Sequence, residues 1–180
     1  MRLTLIAAAC LGALALVSGA SAATPRFALY DVHTDLAAAS HNDFGDVKVW
    51  TDRSGLAARV DGATLVRCGR DCTYGAGWLA FAHGPALSAG DVASAKARHA
   101  HGAWSVVLTL TARGQTRFVA FDKKAAARGA SRGIADALAL VVDGEIVAQP
   151  LENQLKRGKT TLELPGFRRA QALAVAKLFP

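Results

Sequence analysis

The chain predicts an α+β fold, a mixed or mostly antiparallel sheet with helices packed on one face, and three features carry that expectation. Asp143-Gly144 separates two apolar, β-prone runs within residues 137–149. A type I′ hairpin turn needs positive φ at both central positions, and Asp followed by Gly tolerates it at little cost. Trp104 to Thr111 contains the run Ser-Val-Val-Leu-Thr-Leu, whose β-branched and apolar side chains suit a buried strand. Phe118, Phe121 and Ala125 recur at i, i+3 and i+7, the spacing of one helical face.

The N-terminus predicts export. Arg2 precedes an apolar run from Leu3 to Val17, and Ala20-Ser21-Ala22 offers the small residues a signal peptidase accepts, so residues 1–22 read as a signal peptide cleaved after Ala22. The run is shorter than the ~20 residues needed to span a bilayer. Cys10 stands too early in it for a lipoprotein site. No later segment reads as transmembrane, and the expected product is exported, periplasmic or secreted. The remainder suits one domain with its own core. Losing Arg2 leaves 20 basic against 14 acidic residues, and the bases are spread thinly as Arg67 and Arg70, Lys123 and Lys124, Arg128 and Arg132, Lys156, Arg157 and Lys159, and Arg168 and Arg169. Such spacing predicts solvated faces around an apolar core, and no aromatic-interleaved basic motif points to nucleic acid.

Residues 23–86 read as a mainly β part of the mature domain. Arg26 to Val32 predicts a strand, Leu36 to Ser40 a short helical turn, and Asp46-Val-Lys-Val-Trp50 a second strand by alternation. Leu56 to Val60, Asp61-Gly62 and Ala63 to Arg67 predict another hairpin. Residues 73–85 are expected to loop around the short strand Trp78-Leu-Ala-Phe81.

Residues 87–180 have a different texture. Ser88-Ala-Gly-Asp91 fits a capping box, which predicts a helix over Ala89 to Arg98 ended by His99-Ala-His101-Gly102. The Trp104 strand follows, then a helix over 112–127 capped by Thr111, then the Asp143-Gly144 hairpin. A strand over Thr160 to Leu164 and a helix over Phe167 to Phe179, packing through Ala170, Leu173, Val175 and Leu178, complete the order.

Cys68 and Cys72 form an even pair in an exported chain, which favours a disulfide that pins a turn. A redox-active pair, with Arg67 and Arg70 lowering a thiol pKa, is the alternative, although the spacing is not that of thioredoxin-like motifs. The five histidines are His33, His41, His83, His99 and His101. Asp31-Val-His33-Thr-Asp35 and His99-Ala-His101 are the stretches where catalysis or metal binding can be imagined, but solvated or helix-capping histidines are expected. No nucleophile elbow, His-Glu-x-x-His helix, phosphate loop or dinucleotide fingerprint occurs, so no catalytic residue, cofactor or metal is expected.

From Leu87 to Phe179 the chain resembles the periplasmic P1 head subdomain of the SecD protein-export subunit. The matching positions are Leu87-Ser88 with Asp91-Val92, Val107 to Thr111, Phe118, Lys123 and Lys124, Ala139 to Gly144, and Ile146 to Pro150. Thr161-Leu-Glu-Leu and Phe167 are similar to the family's return strand and helix. The P1 base and the membrane motor have no counterpart, Gln149-Pro150 replaces the family's Ala-Pro, and the cysteine pair is foreign to the family. The resemblance implies a head-like module that meets polypeptide but does not drive export. Two functions follow as expectations: a non-catalytic exported module binding polypeptide or an envelope protein by strand addition, or a small envelope redox or metal-handling protein using Cys68, Cys72 and the histidines.

Overall fold

The computed structural model describes residues 25–69, 72–132, 138–148, 156, 157 and 160–180. The segment 1–22 expected to be a signal peptide, Arg70 and Pro150 lie outside them. The fold is mixed α+β, but the described residues form two sheets rather than the single sheet expected.

The first sheet has the order β3-β2-β8-β7-β1-β4. Its strands are β1 (Phe27–Asp31), β2 (Thr64–Cys68), β3 (Gly77–Phe81), β4 (Leu87–Ser88), β7 (Leu138–Val142) and β8 (Glu145–Ala148). All neighbours are antiparallel except β2 and β8, which run parallel. Strands from both parts of the chain therefore interleave. The Asp143-Gly144 hairpin forms as expected, with φ of 47° and 77° at the two turn residues.

The central strands explain their own composition. Phe27, Leu29, Leu138 and Leu140 join one apolar cluster, while Ala28, Tyr30, Ala139 and Val141 join another on the opposite face. A strand covered on both faces needs a continuous apolar run, since side chains alternate between faces. Tyr30 stacks on Phe81 with ring centroids 4.3 Å apart, and burial pushes its phenol pKa up.

The second sheet, β5-β6-β10-β9, is antiparallel throughout. It comprises β5 (Val92–Ala100), β6 (Ala103–Leu110), β9 (Lys156–Arg157) and β10 (Thr161–Phe167). Val106, Leu108, Leu162 and Leu164 enter the same cluster as Phe27 and Leu140, so one core serves both sheets. The helices α3 (Ala112–Arg132) and α4 (Arg169–Ala176) add Phe118, Ala172 and Val175 to it. Two short helices, α1 (Val32–Asp35) and α2 (Arg53–Ala57), complete the set.

Several expectations need correction. The helix expected over Ala89–Arg98 is a 3-10 turn, Ala89–Asp91, followed by the nine-residue strand β5. The capping interaction exists, with Asp91 Oδ2 accepting from Ser88 N–H at 2.9 Å and from Ser88 Oγ at 2.7 Å, but it closes one turn only. Pairing with β6 overrides the helix preference of the alanines. His101 and Gly102 adopt φ of 51° and 77°, so they form a hairpin turn rather than a helix end. The expected Leu56–Arg67 hairpin is α2, a turn and β2, because Asp52 caps the helix by accepting from Ser54 and Gly55 N–H. Residues 46–50 contribute only the isolated bridges His41–Val47 and Trp50–Trp78.

Helix α3 starts where expected, with Gly114 N–H donating to Thr111 Oγ1 at 3.1 Å, but extends to Arg132. The last helix begins at Arg169 because β10 runs on to buried Phe167, and it packs through Ala172 and Val175 while Ala170 and Leu173 face outward. Among the described residues, no helix is long and apolar enough to cross a membrane.

Candidate functional site

A cleft of about 480 Å³ opens between α3 and the turn formed by residues 31–35. Its size falls in the range of small-ligand sites. One wall carries Asp31, Thr34, Asp35 and His83, the other Arg117 and Lys124. The acidic wall exists because β1 runs directly into α1, whose first turn is capped by Asp31 accepting from His33 N–H at 3.0 Å.

Both carboxylates are buried, Asp31 at 1% and Asp35 at 8% exposure. Asp35 Oδ2 accepts from Asp31 N–H at 2.8 Å. The Thr34 hydroxyl lies 2.8 Å from Asp31 Oδ2 and 3.3 Å from Asp35 Oδ1, and its single hydrogen serves the nearer oxygen. Burial pushes the Asp35 carboxyl pKa up, and the negative charge of Asp31 adds to the effect, against the partial relief of the Asp31 N–H bond, Thr34 and His83. His83 Nδ1 sits 2.8 Å from the Thr34 carbonyl oxygen. A carbonyl only accepts, so Nδ1 carries the hydrogen, and Nε2 is an acceptor whenever the ring is uncharged.

The basic wall is braced from behind. Asp91 is fully buried, pairing with Arg113 Nε at 2.9 Å and with one terminal nitrogen of Arg117 at 2.7 Å. The other terminal nitrogen of Arg117 donates to the Pro85 carbonyl at 2.6 Å. Burial by itself raises the Asp91 pKa, but the Ser88 hydrogen bonds and the two arginines outweigh it and hold the carboxyl below its usual value. Gly114 is required here, since a Cβ at that position would collide with the Asp91 main-chain oxygen.

The residues singled out in the sequence are scattered. Cys68 and Cys72 form the expected disulfide, with Cα atoms 5.3 Å apart and Cys68 in the core beside Val66. Asp143 and Gly144 form their turn away from the cleft lining. Of the histidines, only His83 lines the cleft; His99 packs on Trp104 with ring centroids 4.9 Å apart, and His41 Nδ1 lies 3.0 Å from the Gly45 carbonyl. Among the described residues, no three His, Cys, Asp or Glu side chains converge to hold a metal. Sequence reasoning noticed Asp31 and Asp35 but not their partners His83, Arg117 and Lys124, because no local spacing links the three segments. Some basic residues lie over aromatic rings, with Lys48 and Arg59 at 4.7 Å and 4.9 Å from Trp50.

A second feature is the edge of the four-stranded sheet. Among the described residues β5 pairs only with β6. Ala100 and Ala103 flank the two-residue turn and form the closing hydrogen-bonded pair, so Arg98 and Lys96 also bond to β6. By alternation, Ala95, Ala97 and His99 aim their backbone N–H and C=O groups outward. Comparison with known protein families, curated proteins and solved structures finds no match to this chain.

Proposed function

We propose that this chain is a non-catalytic exported module, periplasmic or secreted and similar to the SecD P1 head, that holds extended polypeptide or a segment of an envelope protein along β5. The observation that carries the reading is the nine-residue β5 at the sheet edge, with three consecutive outward-facing backbone pairs. Strand addition satisfies those groups by main-chain hydrogen bonds and demands little of the partner's sequence. The edge carries exposed Lys96 and Arg98. Two copies pairing edge to edge would bring like charges together, whereas an acidic or neutral segment meets no such penalty.

The test is an amide-resolved NMR titration with an extended ten-residue peptide of alternating acidic and apolar side chains. The Ala95, Ala97 and His99 amides are expected to shift and to gain protection from exchange. Ala97→Pro removes an outward donor without breaking a β6 bond, and it should abolish these changes. Unmoved β5 amides in the wild-type protein would refute the reading.

A further inference from the structure

The cleft between α3 and residues 31–35 uses none of the β5 edge, and its two walls ask for opposite charges. Asp35 is more than nine-tenths buried and lines the cleft, and among the described residues its Oδ1 has a single hydrogen-bond contact, to a hydroxyl whose hydrogen is committed to Asp31. A buried carboxylate oxygen without a full donor is costly. A donor arriving from the cleft removes that cost. His83 in its uncharged form adds a second acceptor, Nε2, on the same wall.

Across the cleft, Lys124 is exposed and has no carboxylate partner among the described residues. Arg117, about two turns earlier on the same helix, is fixed by Asp91 and the Pro85 carbonyl, yet a guanidinium has five N–H donors and these contacts leave some unspent. Pro85 and Phe121 place apolar surface between the two walls. A bare divalent cation fits poorly, since too few protein ligands converge. An ammonium group needs only acceptors at hydrogen-bond distance.

We propose that the cleft binds a small zwitterion, its ammonium group on Asp35 and His83 and its carboxylate on Lys124, with Arg117 adding positive charge to the same wall, around a short apolar body. This is the shared chemistry of a free apolar amino acid and of a short peptide. Binding is coupled to pH, because the proton on Asp35 and the incoming ammonium compete for the same oxygen. Asp31, His83, Arg117 and Lys124 are the charged or titratable groups that share the cleft with Asp35.

Isothermal titration of the purified protein with leucine and with leucyl-leucine tests this, the tighter of the two identifying the source. N-acetylation of the tighter ligand, which removes the ammonium, and C-terminal amidation, which removes the carboxylate, should each weaken binding about tenfold or more, as expected for one charge-assisted contact. Asp35→Asn should do the same, and Lys124→Ala, an exposed position where unfolding is not a concern, should weaken the free acid but leave the amide unchanged. Wild-type affinity should fall as the pH is lowered through the Asp35 titration. The proposal is overturned if neither zwitterion binds, if the N-acetyl form binds as well as the parent, or if Lys124→Ala weakens acid and amide alike.

Discussion

Replacing Asp91 by alanine tests the joint between the two sheets and α3. Its carboxylate accepts from Ser88 N–H and Ser88 Oγ, at the end of β4, and from Arg113 and Arg117 on α3. Losing it leaves the Ser88 N–H without its partner, at about 1–3 kcal/mol for a partly buried donor. The arginine side chains are 67% and 39% exposed, so water recovers much of their interaction and each pair adds no more than about 1 kcal/mol. The sum is about 3 kcal/mol. For a chain of this size it corresponds to a fall in Tm of roughly 6–12 °C. Asp91→Asn retains the shape and one acceptor oxygen, and about half the loss is expected. The pH dependence has a definite sign. The folded pKa of Asp91 lies below its ordinary value of 3.8, so its stabilisation is fully present above about pH 3.8 and is lost as the pH falls through the folded pKa. Thermal unfolding by circular dichroism should therefore show a constant gap between wild type and Asp91→Ala from pH 5 to pH 8, closing at lower pH. A gap below about 0.5 kcal/mol at neutral pH would refute the argument, because that is the range of an unremarkable surface substitution.

Four further outcomes follow. Asp35→Asn should raise the Tm at neutral pH, because the raised folded pKa of Asp35 contributes stability below about pH 3.8 that is lost as the pH rises through it; a lower Tm for the variant at pH 7 would count against the buried, under-served carboxylate. Gly114→Ala should destabilise by about 1–3 kcal/mol in denaturant unfolding, because overlap with the Asp91 main-chain oxygen outweighs the ~1 kcal/mol that alanine ordinarily gains over glycine in a helix. Asp143→Pro cannot adopt the native φ of 47° and removes the N–H that donates to the Arg26 carbonyl, so a loss of about 2–4 kcal/mol is expected; unchanged unfolding would show that the hairpin lies outside the cooperative unit. Reducing Cys68–Cys72 should cost only about 2 kcal/mol, since the four-residue separation closes a small loop, and a much larger fall in Tm would indicate a greater role for the bridge.

Local chemistry made much of this fold legible. Asp143-Gly144, the β6 run and the α3 stripe each carry their signal in adjacent or periodically spaced residues, and each forms where expected. The β5 region misled for a physical reason. Ala93, Ala95, Ala97 and Ala100 favour helix locally, and Ser88 with Asp91 makes a real cap, but the strand is selected by β6 across a His101-Gly102 turn. The turn left a trace in the sequence: histidine, like Asn and Asp, is enriched at positive φ, and His-Gly before a β-branched run is a hairpin signal of the same kind as Asp-Gly. Leu56 to Val60 misled similarly, because the Asp52 side chain, rather than an apolar pattern, decides that α2 forms. In the cleft, Asp31 and Asp35 were visible as a pair, yet nothing local to them indicated burial or an opposing basic wall.

The sequence by itself determined the α+β class, the Asp143-Gly144 turn and the pairing of Cys68 with Cys72, because each depends on neighbouring residues or on a short-period apolar pattern. Only the tertiary structure decided that there are two sheets, that β5 is an edge strand, and that Asp35 faces Lys124 across a cleft. Those facts depend on which distant surfaces exclude water together. Burial of that kind arises from the whole packed chain, and it is what turns an ordinary aspartate into a carboxylate in need of a donor.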